Sequence, residues 1–252
     1  MSLNPKDPGF SKFAVPQIAE LIDILVRSNF NSDIIFQGGD LSPATLLAAY
    51  RSGLFPMPIE GDKLGWFCPQ RRGTFLVGKP NTSGFPYHVS RSLRKSINRF
   101  TYSMNLAFRD VISNCANPQR PGYWITPVIQ DAYFQLHELG WAHSFEVWTG
   151  QRAQKELVGG LYGVAIGGLF AGESMFHKRS DASKAALAVL ISTMTEQGGT
   201  LIDTQWMTPH LESLGGVAIP RMEYLQLLDE AVSLPLPEIF EKGQCRQIDF
   251  KV

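Results

Sequence analysis

Gly172-Glu173-Ser174-Met175-Phe176 and Leu201-Ile202-Asp203-Thr204-Gln205 say most about how this chain folds. Each reads as a short apolar strand that delivers acidic or amide side chains at its end. The segment between them carries a helical apolar stripe, Leu187, Leu190, Ile191 and Met194, opening near Asp181 and stopping at Gly198-Gly199. A strand–helix–strand unit with carboxylates at both strand ends builds a site rather than only a core.

Leading into the helix, the pattern predicts three strands in quick order, over 143–148, 156–162 and 168–175, the last of them the first strand of this unit. A helix over 221–232 follows it, and the Pro-rich tail after Leu234 reads as peripheral. Further upstream, Thr126-Pro127 opens a helix that Gly140 ends, with Ile129, Ala132, Tyr133 and Leu136 on one face. Helices are also expected over 105–116 and from Ser90, the latter with Leu93, Ile97 and Phe100 facing inward. A short strand precedes them at 74–77. The N-terminal part predicts a helix over 16–28, a strand and turn over 33–39, and a well-punctuated helix with Ser42 as N-cap, Pro43 in its first turn and Gly53 past its end. Residues 54–58 read as a break, and 61–73 as a loop and strand joining two regions. The order is α+β. Its second half resembles the plan of the GNAT acyltransferase fold, in which a central strand splays from its neighbour and the cleft takes an acyl donor and an amine.

With 252 residues, 44% hydrophobic and 18% charged, the chain reads as one large globular domain or two modest ones, not as a disordered chain. No apolar run approaches the roughly 18 residues that cross a bilayer. Residues 1–10 are polar, so no export signal is expected and the reading is cytoplasmic. Cys68, Cys115 and Cys245 are too few and too scattered for a disulfide framework or a thiolate zinc site, and the five His show no metal-binding spacing, so no metal is expected.

A formal net charge of zero conceals polarity. Residues 71–120 hold nine basic side chains (Arg71, Arg72, Lys79, Arg91, Arg94, Lys95, Arg99, Arg109, Arg120) against one acid, Asp110. With 23 of each sign in the chain, the remainder holds 14 basic and 22 acidic residues. Such a segment is a candidate footprint for a polyanion, with Arg91, Arg94, Lys95 and Arg99 clustered on one helix surface.

Glu173 ends an alternating strand among Gly163, Gly167, Gly168 and Gly172, which suit a close approach to the backbone. Asp203 and Gln205 are two apart in a strand, so their side chains are expected on one face, where a carboxylate beside an amide suits an incoming amine. The segment 179–184 opens a helix after a strand, where backbone N–H groups with Ser183 and Lys184 suit a phosphate. It lacks the Gln/Arg-x-x-Gly-x-Gly/Ala loop of coenzyme A enzymes. Leu161, Phe170, Leu187 and Leu190 flank one strand–helix layer and serve equally as core or as an apolar slot. Tyr50, Trp66 and Trp124 stand in or beside loops, where each could stack on a base.

At these residues the chain resembles the leucyl/phenylalanyl-tRNA–protein transferases. The resemblance is carried in order by Gly38-Gly39-Asp40-Leu41-Ser42-Pro43, Ala49-Tyr50-Arg51-Ser52-Gly53-Leu54-Phe55-Pro56, Val89-Ser90-Arg91-Ser92-Leu93-Arg94 and Trp124-Ile125-Thr126-Pro127. It continues through Leu157-Val158-Gly159-Gly160-Leu161-Tyr162-Gly163, Gly172-Glu173-Ser174-Met175-Phe176, Asp181-Ala182-Ser183-Lys184 and Ser213-Leu214-Gly215. It implies a small N-terminal α/β domain (1–72), then a GNAT-like catalytic domain (73–252), in a cytoplasmic monomeric enzyme without cofactor. The implied reaction moves Leu, Phe or less often Met from aminoacyl-tRNA to the N-terminal Arg or Lys of a protein, marking it for degradation by the N-degron route. On that reading Asp203 with Gln205 orients the α-amine and Asp203 takes its proton, while Glu173 binds the basic side chain. Leu161, Phe170, Leu187 and Leu190 hold the donor side chain. Tyr50, Met57 and Trp124 take the terminal adenosine, and Arg91, Arg94, Lys95, Ser183 and Lys184 the tRNA. Two stretches depart from the family pattern: Met57 stands where much of it has Trp, and Trp66-Phe67-Cys68-Pro69 replaces Trp-Trp-Ser-Pro.

Overall fold

The computed structural model describes residues 32–59, 63–77, 87, 89–119, 124–150 and 155–251; the helix expected over 16–28 lies outside them. The two longest strands, β7 (Glu156–Ile166) and β8 (Leu169–His177), are joined by the tight turn Gly167-Gly168. Gly167 has φ +55°, and a Cβ there would stand 2.8 Å from the carbonyl oxygens of Ala231, Val232 and Leu234, so only glycine fits the turn. These strands form the middle of an eight-stranded sheet. It is completed by β4 (Arg71–Leu76), β5 (Thr101–Met104), β6 (Ala142–Thr149), β9 (Leu201–Gln205), β10 (Val217–Pro220) and β11 (Arg246–Ile248), in the order β10-β4-β9-β8-β7-β6-β5-β11. All neighbours are antiparallel except β8 and β9, which run parallel and are linked by α5 (Ala182–Glu196).

Among the described residues five other helices of seven to twelve residues, in chain order α1 (Pro43–Arg51), α2 (Arg91–Ile97), α3 (Phe108–Cys115), α4 (Pro127–Glu138) and α7 (Arg221–Val232), clothe the sheet, with a single-turn α6 (Pro209–Glu212) after β9. Their starts follow elementary capping. The hydroxyls of Ser42, Ser90 and Thr126 accept the N–H of Thr45, Leu93 and Ile129, each contributing about 1 kcal/mol. One core packs α5 and α2 against the sheet through Leu187, Leu190, Met194, Phe145 and Phe170. The other gathers α1, α3, α4 and α7 with a three-stranded antiparallel sheet, β1 (Ile34–Gln37), β3 (Leu64–Phe67) and β2 (Phe55–Pro58), in that order. Each fully buried Leu or Phe contributes about 1.5–3 kcal/mol, which fixes α5, and with it the strand ends it joins.

Two expectations are corrected. Residues 55–58 form β2 and do not break regular structure: the strand lies at an edge and pairs only with β3, where Pro56 and Pro58 need no donor on the open side. The tail is not peripheral either. Phe240 is fully buried against Phe145 and Phe170, and β11 pairs with β5. No helix among the described residues is long and apolar enough to cross a membrane.

Candidate active site

The parallel pairing of β8 with β9 is short. Leu169, Phe170 and Ala171 face Leu201, Ile202 and Asp203, and beyond that point the two strands part. Both carry an extra residue where they separate. On β8, Tyr162 faces Ser174 and Gly163 faces Gly172, so Glu173 has no partner on β7. On β9, Gly73 faces Gln205 and Thr74 faces Asp203, leaving Thr204 unpaired, and Gln205 adopts the left-handed conformation at φ +59°. Gly73 permits this close turn, since a Cβ there would lie 2.7 Å from Thr204 Oγ1 and from the Met207 nitrogen. Bulges re-aim side chains. The alternation expected to put Asp203 and Gln205 on one face is therefore broken.

Asp203 is sealed, with 1% of its surface exposed. Arg72 grips it in a two-point ion pair, Nε to Oδ1 and Nη2 to Oδ2 at 2.7 Å each. The Tyr224 hydroxyl donates to Oδ2 at 3.0 Å and the Gln205 N–H to Oδ1 at 2.9 Å. The guanidinium is in turn held between the rings of Phe55 and Tyr224, 4.7 and 4.4 Å from their centroids. Arg72 is thus an internal residue, not part of a basic surface.

Glu173 is arranged in the opposite sense. The hydroxyls of Tyr50 and Tyr133 donate to its two oxygens at 2.6 and 2.8 Å, their own oxygens lie close together, and Gln205 Nε2 lies 3.5 Å from the carboxylate. No cation pairs with it at ion-pair distance among the described residues. Burial raises its pKa to about 7 despite the two phenols and the more distant Arg72, which favour the charged form; the Asp203 charge adds to the rise.

Two adjoining cavities open where the strands part. One, of about 240 Å³, is lined by Leu161, Met175, Leu187, Leu190, Ile202 and Leu211, with Tyr162, Glu173, Gln205, Thr208 and His210 among its polar members. The other, of about 230 Å³, is lined by Phe55, Met57, Trp124 and Trp206. Glu173, Thr204, Gln205, Thr208 and Leu211 belong to both. The arrangement offers an apolar slot, an aromatic slot, and a carboxylate and carboxamide on the wall between them.

Comparison with known proteins places this arrangement. The family model described as "Leucyl/phenylalanyl-tRNA protein transferase" matches residues 84–229, and that of its N-terminal domain matches residues 39–70. The chain belongs to this family. It is 47% identical to a leucyl/phenylalanyl-tRNA–protein transferase of Shewanella baltica strain OS195 over 203 residues, covering 79% of this chain and 81% of that one. A Klebsiella pneumoniae protein of the same name is 46% identical over 205 residues, covering 81% and 83%. For a second Shewanella baltica protein, of strain OS185, the figures are 42% over 231 residues and 90% of each.

In this member of the leucyl/phenylalanyl-tRNA–protein transferase family, the residues singled out from sequence do not all meet. Glu173, Gln205, Leu161, Leu187 and Leu190 converge on the apolar cavity, and Met57 and Trp124 on the aromatic one. Asp203 lies behind the wall and reaches neither. Phe170 is core, fully buried against Phe145 and Phe240. Tyr50 is 2% exposed and presents no ring face for stacking; its hydroxyl donates to Glu173. Ser183 is 5% exposed, and Lys184 Nζ is paired at 2.9 Å with Asp181, so neither side chain is offered to a phosphate. Arg91, Arg94 and Lys95 are exposed on α2, joined to the start of α5 by the Ser96–Asp181 hydrogen bond. Sequence reasoning missed Tyr133, Arg72, Met175, Ile202 and Trp206. The signal for Tyr133 was its place on an apolar helix face, because a buried phenol needs a partner for its hydroxyl.

Proposed function

We propose that this protein transfers Leu or Phe, and less often Met, from aminoacyl-tRNA to the N-terminal Arg or Lys of a protein, as a cytoplasmic aminoacyltransferase. The observation that carries this reading is the pair of cavities with a common wall. An aminoacyl-tRNA terminus has two parts, an amino-acid side chain and an adenosine, joined through an ester. The apolar cavity takes the side chain, the aromatic cavity takes the adenine, and the ester then lies at the wall formed by Glu173, Thr204 and Gln205. An elongated slot lined by Leu, Ile and Met suits side chains unbranched at Cβ.

The acceptor is cationic, and Glu173 is the one carboxylate among the residues lining either cavity. With a pKa near 7 it both attracts the acceptor's positive charge and accepts a proton at neutral pH. The neutral α-amine attacks the ester carbonyl, the new C–N bond forms as the C–O bond to the ribose breaks, and the ribose leaves with a proton on its oxygen. Glu173 takes the proton that the amine loses and passes it to the ribose oxygen as the C–O bond breaks. Because the donor is already an activated ester, no cofactor enters the scheme. Gln205 orients the amine with its carboxamide. Asp203 acts through it as a positioning residue, holding the Gln205 N–H in the left-handed turn. On this reading the fold is GNAT-like: the splayed β8–β9 pair is the cleft of that plan, in a domain running from residue 73 to 252 after a small N-terminal domain, in a monomer. Arg91, Arg94 and Lys95 face the tRNA.

Transfer of labelled Leu from charged tRNA to a peptide beginning with Arg, with a peptide beginning with Asp as control, tests the reading. Label on the Arg peptide alone is expected. No label on either peptide overturns it.

A further inference from the structure

Trp206 follows Gln205, whose left-handed backbone carries the chain out of β9. It is 36% exposed, one of few large apolar side chains so placed among the described residues. Its indole touches Phe55 and Phe67 of the small sheet, with centroids 5.0 and 5.7 Å apart and planes at 89° and 71°, so neither phenyl ring stacks flat upon it. It lines the aromatic cavity together with Trp124, while Met57 on the same cavity contributes a flexible thioether without a flat face. A core role does not explain an indole that meets two rings at steep angles, lines a cavity and keeps 36% of its surface exposed.

We propose that Trp206 stacks on the adenine of the donor and is the residue that sets the affinity for it. The assignment rests on the function proposed above and adds to it which side chain reads the donor's end. The planar purine enters beside Trp124 and lies on the Trp206 indole. Its ribose then points toward Gln205, the neighbour of Trp206 in sequence, which lies on the wall common to the two cavities. Phe55 and Phe67 fix the indole plane, so the surface is formed before the donor arrives.

The test compares two donors, Leu-tRNA and the minimal ester leucyl-adenosine, in steady-state transfer to an Arg-starting peptide. Stacking on one base amounts to a factor of about 5 to 150. Trp206→Ala is expected to raise the KM of both donors by the same factor, about ten or more. The kcat and the KM of the peptide should stay within about three-fold of wild type. Trp206→Phe should keep most of the affinity, and Trp206→Leu, which keeps apolar bulk without a ring, should behave like Ala; the Leu variant also decides the matter if the Ala protein does not fold. An unchanged donor KM in the Ala or Leu variant overturns the assignment, and so does equal loss in kcat and in peptide KM. Wild-type protein that transfers no Leu removes the functional reading itself, whereas wild-type transfer with a ring-independent donor KM removes only the role of Trp206.

Discussion

The two strands that part at the cleft carry the same chemical group in opposite surroundings. Asp203, midway along β9, is enclosed by four hydrogen bonds, two of them from a buried guanidinium. Glu173, midway along β8, has two phenols, no ion-pair partner among the described residues, and a cavity on either side. Burial without a paired cation raises a carboxyl pKa, and a buried cation gripping both oxygens ties the charge into the structure. On the proposed function the difference divides the labour: one carboxylate holds the turn that shapes the wall, and the other is left to meet a substrate. Two bulges make the division possible, since an unbroken pleat would send both strands past the cleft in register.

The largest effect expected from disturbing this contrast is structural. Asp203→Ala leaves the Arg72 guanidinium buried and unpaired, and should lower unfolding free energy by about 3–5 kcal/mol in urea titration. Loss of less than about 1 kcal/mol would mean that Asp203 is not sealed. Next comes selectivity on the open side. Leu187→Phe narrows the apolar cavity and should shift the donor preference from Phe toward Leu by about ten-fold in kcat/KM. An unchanged ratio would remove Leu187 from the slot.

A smaller effect concerns pH. Glu173 holds its proton more tightly in the folded protein, with a pKa of about 7 against an ordinary 4.5, so the native state binds more protons between these values. Stability therefore falls as pH rises through that window and is level above it. Glu173→Gln should abolish the fall, melting above wild type at pH 8 and level with it near pH 4. Parallel melting curves across that range would contradict the raised pKa of Glu173. The smallest effect expected is on α2: Arg94→Ala should reduce the salt slope of Leu-tRNA binding by about 0.7–0.9, and leave leucyl-adenosine untouched.

The strand–helix–strand unit was legible because its signals are local: β-branched and apolar runs, a 3.6-residue stripe, and Gly198 past the helix end. The helix caps at Ser42, Ser90 and Thr126 were legible for the same reason. Sequence singled out Glu173, Gln205, Leu161, Leu187 and Leu190, and the structure brings all five to one cavity. It misread Asp203, Tyr50 and Arg72, because their partners lie 131, 123 and 131 residues away in the chain. A bidentate pair such as Arg72–Asp203 leaves no mark in either local stretch. The bulges were equally hidden, because strand alternation assumes a regular pleat and a single extra residue inverts the face. Trp206 escaped notice as a lone aromatic beyond a strand, and its meaning depends on rings that the small sheet brings to it.

The contrast between the two carboxylates is tested most directly by single-turnover transfer of Leu from charged tRNA to an Arg-starting peptide at pH 8, with wild-type protein and with Glu173→Gln. The account predicts a rate about 100-fold or more below wild type in a variant that melts no lower than wild type. A rate within about three-fold of wild type would contradict it.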